Sequence, residues 1–329
     1  MKTTRILVAL ASLTTLAACG KSTATPTTDA NPTTVKLLAY DAFTPEKNIF
    51  NDVTAQTGAK VQIVTSGDTG TMVSKAILTA GKPEADVIWG VDNTLLSRAQ
   101  NSKLLNSYEP VDEGDVCVNY DKNWFAKNKV EIPTTLEQLA QPTYKNLLAV
   151  QDPVASSPGL AFLLGTIAHF GTDKWQQYWK DLKANGVHIS PDWTTAYETD
   201  FSKSGGKYPL VVSYGSSPPA EVFYSGDWIA APPTGVMDNT CFRQTEYVGV
   251  MRGTKSPNIA QKLVDYLLGK KFQESMPLSL FVFPVNTEAT LPKVFQDFAV
   301  KPANSLTVKP EDIERNRETW LDTWRSIIL

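Results

Sequence analysis

Apolar residues along the body of this chain come in short bursts, and the stretches between them carry apolar residues at helical spacing. "TVKLLAYDAF" (34–43), "KVQIVTSGD" (60–68) and "ADVIWGVDN" (85–93) are rich in β-branched and aromatic residues and break at a polar turn, which predicts three strands. The intervening "PEKNIFNDVTAQTGA", "TGTMVSKAILTAG" (69–81) and "TLLSRAQNSKLL" read as helices. In the second of these, Met72, Ala76 and Ala80 share a face and Gly81 marks the end. Further strands are predicted within 114–125, 134–153, 208–224 and 241–253. Further helices are predicted over 156–171, 173–186 and 309–329, the last with Ile313, Trp320, Trp324 and Ile327 on roughly one face. Alternation of strand and helix implies an α/β fold on a mostly parallel sheet.

The first 34 residues break this pattern. Lys2 and Arg5 precede a mostly apolar run, Ile6–Ala18, that is too short to span a bilayer comfortably. It ends in "LAAC" (16–19), small residues before a cysteine, the mark of a bacterial lipoprotein signal. Residues 1–18 are then removed and Cys19 carries lipid; the plainer reading is an ordinary secretory signal with a chance cysteine. Residues 19–34 are Thr, Ser, Ala and Pro with little to bury, so they read as a disordered tether reaching up to ~50 Å. The chain is therefore expected outside the cytoplasmic membrane, on its outer face or in the periplasm.

Loss of Lys2 and Arg5 with the leader takes the net charge from −3 to −5, which argues against a nucleic-acid role. About 295 residues follow the tether, enough for two lobes. Apart from Cys19, only Cys117 and Cys241 remain, and in an oxidising compartment they are candidates for one disulfide; two buried thiols are the alternative.

The chain has two histidines, His169 and His188, and His169 on its apolar helix reads as structural. It has no HExxH, no close His/Cys cluster and no glycine-rich phosphate loop, and no Ser-His-Asp set suggests itself. No metal, cofactor or catalysis is expected; a binding protein is.

Ligands of open α/β sheets gather where strands end and helices begin. Four such turns carry suitable groups: Tyr40–Asp41; Asp68 between Gly67 and Gly70; the serines of "DPVASSPG" (152–159); and "SYGSSPPA" (213–220) with Tyr214. Asp68 reads equally well as a helix cap, and Ser156 begins a helix whose N–H groups favour an electron-rich group such as phosphate. "ISPDWTTAYETDF" (189–201) predicts a helix capped by Asp192 and ended by Gly205-Gly206. Trp193, Tyr197 and Phe201 share its face, with Trp193 at the start suited to a cleft wall and Phe201 to the core. Phe281 adds aromatic surface; Trp89, inside an apolar strand, fits the core better. Aromatic faces and carboxylates together suit a flat, cationic small molecule, with a phosphate end accommodated at Ser156.

"GDTGTMVSKAILTAGKPEADVIWGVDN", "QDPVASSPGLAFLL", "DWTTAY…LVVSYGSSP" and "FPVN…LPKVF…KPA…ERNRETWLDTWR" together resemble the thiamine-binding proteins of bacterial ABC importers, over nearly all of residues 35–329. "ADVIWGVDN" and "DPxxSSPG" are shared with iron- and polyamine-type relatives; the "DWTTAY" to "SYGSSP" interval and the C-terminal two-tryptophan helix are more telling. The resemblance implies a monomeric, two-lobed periplasmic-binding-protein type II fold with the ligand in a cleft between lobes. One lobe comprises 35–115 and 246–329 with the C-terminal helices, and the other 116–245. It implies capture of thiamine or its phosphates and delivery to a permease driven by an ATPase, with no reaction catalysed. By position, Tyr40, Asp68, Ser156, Trp193, Tyr214 and Phe281 become ligand contacts.

There are departures. Phe281 stands where better-known members have tryptophan, and Ala220 where they have a second tyrosine, so half the aromatic cage is altered. A ferric-iron or polyamine receptor is the alternative; iron sites of the superfamily have adjacent tyrosines, whereas Gly215 follows Tyr214. A tethered hydrolase is a remote third reading.

Overall fold

A computed structural model of the protein describes residues 34–226 and 229–329. The leader, Cys19 and the tether up to residue 33 lie outside them, and Thr34 already belongs to the first strand.

Nine strands form one sheet: β1 (Thr34–Ala39), β2 (Lys60–Thr65), β3 (Val87–Asp92), β4 (Leu105–Asp121), β5 (Leu148–Gln151), β6 (His188–Ser190), β7 (Leu210–Tyr214), β8 (Thr234–Met251) and β9 (Phe283–Pro284). Their order is β2-β1-β3-β8-β4-β7-β5-β6, with β9 beside β4. The two arms, β2-β1-β3 and β7-β5-β6, are parallel as the alternation predicts. The centre is not: β4 and β8 are long, antiparallel to each other and to their outer neighbours. One end of this central pair carries β3 and the other β7, so β4 and β8 belong to both halves of the molecule. Their register shifts between Val116 and Val118, where β8 gains residues and Thr240 Oγ1 accepts from Val118 N at 2.9 Å. Cys117 and Cys241 are bonded across this irregularity, both buried.

β3 is buried along its whole length, as a strand covered on both faces must be. Val35, Leu37, Val87 and Trp89 pack on Leu263 and Phe272 on one side. Trp89 is fully buried and offers no surface to a cleft. The largest core gathers β4, β5 and β7 around the Ser157–Phe170 helix, which is buried from Ser157 to Ile167. The C-terminal helix, Pro310–Ile328, buries Ile313, Trp320, Trp324 and Ile327 at helical spacing. Trp324 meets Trp179 edge to face at 5.7 Å, and Lys183 Nζ donates to Ile327 O at 2.8 Å. Near its start, Glu314 accepts from Asn101 Nδ2 at 2.8 Å, so this helix touches elements from both sides of the central strands. His169 pairs with Glu137 at 2.6 Å near the surface.

Local structure is more irregular than the pattern predicts in two places. The first helix shrinks to Asn51–Thr57, because Asn48 takes a left-handed φ of 67° within 45–59. The 192–205 segment is a single turn, Trp193–Thr195, followed by a wide π-type turn over Ala196–Asp200 and a 3-10 turn at Ser202–Ser204. Side chains hold it instead of a regular backbone ladder. Asp192 caps Thr195 N at 2.7 Å, and Ser204 Oγ donates to Tyr197 O at 2.9 Å.

Candidate functional site

A cavity of about 830 Å³ opens where the strands of both arms end. Tyr40, Asp68, Trp193, Tyr214 and Phe281 all line it. Tyr40, Asp68, Trp193 and Tyr214 follow or end β1, β2, β6 and β7, and they meet because the two arms run in opposite directions and bring their carboxyl ends face to face at the middle of β4 and β8; Phe281 enters from the loop before β9.

Tyr40 follows β1 and donates its hydroxyl to Glu246 Oε2 at 3.1 Å. Its ring packs close against Gly90, whose φ is +89°; a Cβ there would stand 2.5 Å from Tyr40 Cε1. Only glycine meets both demands. Gly90→Ala is therefore expected to destabilise the fold by about 2 kcal/mol or more, read by denaturant titration. An unchanged midpoint would contradict the close approach.

Asp68 is both cap and cavity residue. Its Oδ1 accepts from Thr69 N at 2.7 Å and its Oδ2 from Trp193 N at 3.1 Å, tying two helix starts that are 125 residues apart in sequence. Burial pushes the Asp68 carboxyl above its ordinary range, while the two backbone N–H groups oppose the shift. Trp193 is half-buried. One face of its indole stacks on Tyr197 (5.2 Å between centroids, 11° between planes), and its Nε1 donates to Ser213 Oγ at 3.0 Å. Tyr197 in turn leans on buried Phe201 at 5.5 Å. The aromatic row runs from the cavity wall to the core without a break.

Ser156 is placed differently. It is 1 % exposed, its Oγ has no hydrogen-bond partner, and it does not line the cavity. Of that helix start only Pro158 does. The turn before it is covered by the Thr69–Leu78 helix: Thr71 N donates to Ala155 O at 3.1 Å, and a Cβ on Gly70 would stand 2.7 Å from the same oxygen. Ser157 Oγ is taken by Gln244 Nε2 at 3.1 Å. The donors read as a phosphate cradle are thus turned inward by this contact.

Several features have no counterpart in the sequence pattern as read. Glu246 lines the cavity, and its signal was a period of two: Gln244, Glu246, Val248 and Val250 are all buried, which puts an acid on an apolar face. Tyr224 lies one helical turn beyond Ala220 and reaches the same cavity, 5.5 Å from Phe281. Phe281 itself holds a left-handed φ of 54°, which aims its ring at Tyr224 and Phe223. Lys203 lies 5.0 Å over the Tyr197 ring and pairs with Glu221 at 2.9 Å. Among the described residues, six carboxylates (Asp41, Asp68, Asp192, Glu198, Glu221 and Glu246) and one lysine face the cavity.

A two-armed α/β sheet with an acidic, aromatic cavity at its strand ends defines a solute receptor of the periplasmic-binding-protein type II class. The chain belongs to the bacterial extracellular solute-binding protein family, whose sequence pattern matches residues 63–315. It is 27% identical to the thiamine-binding periplasmic protein of Salmonella typhimurium over 312 residues, which cover 89% of this chain and 92% of that one. It is 26% identical to the Escherichia coli protein of the same name, with the same coverage. Among solved structures, a periplasmic thiamin binding protein superposes with a TM-score of 0.80 at 24% identity, covering 90% of this chain and 96% of the other. At that identity the likeness bears on the fold.

Proposed function

We propose that this chain is a lipid-anchored receptor that captures thiamine outside the cytoplasmic membrane and delivers it to an ABC permease and its ATPase. The observation that carries this reading is the cavity's make-up: among the described residues, six carboxylates against one lysine that is already paired, between aromatic walls. Such a site attracts an organic cation with flat rings. The names of the similar proteins point to the same ligand. Trp193, Tyr214 and Phe281 form the walls, with Tyr224 supplying aromatic surface that Ala220 lacks. Asp68 and Glu246 face the ligand's cationic and amino groups, and Tyr40 orients Glu246. Residues 35–115 and 246 onward form one lobe and 116–245 the other, and their closure over the ligand is what the permease reads. No reaction is catalysed.

The same charge balance disfavours phosphate. The unphosphorylated vitamin is expected to bind more tightly than its mono- or diphosphate. Calorimetry with thiamine, both phosphates, spermidine and ferric iron tests this, with thiamine expected at micromolar affinity or better, about −8 kcal/mol. Binding of thiamine no tighter than millimolar would sink the reading. A diphosphate preference would remove only the charge argument.

A further inference from the structure

Three carboxylates stand in one row across the centre of the sheet. Asp92 on β3 lies opposite Glu246 on β8, and Glu246 lies opposite Asp112 on β4. They are 0 %, 4 % and 1 % exposed, and of the three only Glu246 reaches the cavity. Asp92 is well supplied: its Oδ1 accepts from Thr94 Oγ1 at 2.6 Å and Thr94 N at 3.0 Å, and its Oδ2 from Gln244 Nε2. Asp112 is not. Neither of its oxygens has a hydrogen-bond partner, although it sits directly beside Glu246. Two adjacent buried carboxylates satisfy one another only by sharing a proton.

The surroundings offer no other remedy. Tyr40, after β1, donates to Glu246, and Tyr214, at the end of β7, faces the same acids. Burial, followed by these acids, pushes both phenols up, so they stay protonated. Glu113, next on β4, pairs with Lys301 at 2.8 Å, Arg243 pairs with Asp115 at 2.7 Å, and Lys203 is held by Glu221. Among the described residues, no cation faces the pair. Burial is the main cause of the rise at both acids, with repulsion from Asp112 and Asp92 added at Glu246, and from Glu113 and Asp92 at Asp112. Both carboxyls are thereby held above the ordinary carboxylate range.

We infer that Glu246, backed by Asp112, is the charge-selecting element of the cavity: the pair shares one proton while the cavity is free, and an organic cation replaces that proton on binding. The proton leaves to bulk water, the pair goes from −1 to −2, and the ligand brings +1, so the net buried charge is unchanged. A neutral molecule of the same shape cannot make this exchange, so the pair discriminates by charge. The inference rests on the reading that the ligand is an organic cation. Its sign follows from linkage. A cation favours the ionised pair and lowers its pKa, so binding releases protons and affinity rises with pH until the free pair has lost its shared proton.

The test is calorimetry of the mature protein with thiamine at pH 7.5 in phosphate and in Tris, whose ionisation enthalpies differ widely, and again at pH 6.5. A binding enthalpy that differs between the buffers by up to one proton's worth is expected, with affinity rising up to about tenfold per pH unit. E246Q is expected to weaken thiamine at least about tenfold at pH 8. D112N, whose amide can donate to Glu246, is expected to bind with a buffer-independent enthalpy. Thermal melting checks that each variant folds; should either not fold, the two-buffer comparison on the wild-type protein decides alone. Normal thiamine binding with equal enthalpies in both buffers overturns the inference and leaves the thiamine reading standing. No thiamine binding in either buffer removes both.

Discussion

Trp193→Ala is expected to weaken thiamine binding by about 30- to 100-fold, or ~2–3 kcal/mol, while leaving the melting temperature nearly unchanged. The indole offers the ligand its free face, because the other is already stacked on Tyr197. That stack, and the bond from Nε1 to Ser213, fix the ring before any ligand arrives, so little rotamer entropy is lost on binding. The backbone N–H to Asp68 survives in the variant, so the tie between the two helix starts is kept and the loss reports the ring alone. Trp193→Phe should recover part of the affinity through stacking without the Ser213 bond. Calorimetry on both variants is the measurement, and a change under about threefold for the alanine variant would take Trp193 out of the wall.

Breaking the Cys117–Cys241 bond should be the most costly single change to stability. The two residues are 124 apart in sequence, and closing a loop of that length in the unfolded chain is worth ~5 kcal/mol by the chain-entropy model. Both cysteines are buried, so Cys117→Ser with Cys241→Ser also places two hydroxyls in an apolar setting. Paired alanines avoid that second effect and isolate the cross-link. Guanidinium titration of the alanine pair should show a loss of several kcal/mol, and the wild-type protein under reductant should approach it. Equal midpoints with and without reductant would mean that the bond contributes nothing.

The arms of the fold were legible because their residues follow simple periods. β1, β2 and β3 end where apolar runs meet polar turns, and the C-terminal helix shows its buried stripe outright. The central strands were only half visible. β4 runs from Leu105 to Asp121 and β8 from Thr234 to Met251, but the pattern marked only stretches of each. A strand that passes from one half of a molecule to the other changes which face it buries, and the alternation breaks at the crossing, here near Val116 and Val118.

The site divides in the same way. Tyr40, Asp68 and Tyr214 are readable as cavity residues because each stands at a strand end, and the strand ends of the two oppositely running arms meet at the middle of β4 and β8. Ser156 lies outside the cavity for a reason no local signal carries: whether a helix start is open to solvent depends on what packs over it, and Gly70 sits over this one. Glu246 and Asp112 were invisible as a pair because their partnership is a matter of register between β4 and β8, set by residues far from either. Tyr224 was passed over because the expectation fixed on Ala220 rather than on the next turn of the same helix.

The cross-link between Cys117 and Cys241 joins the two long strands where their register shifts, between the half that carries β3 and the half that carries β7. The backbone ladder already stops β4 and β8 from sliding past one another, and the bond stiffens it where the register shift leaves it weakest. What remains to the pair is bending and torsion as one ribbon, so the two halves should approach by swinging about a shared axis, and reduction of the bond would soften that ribbon at its middle.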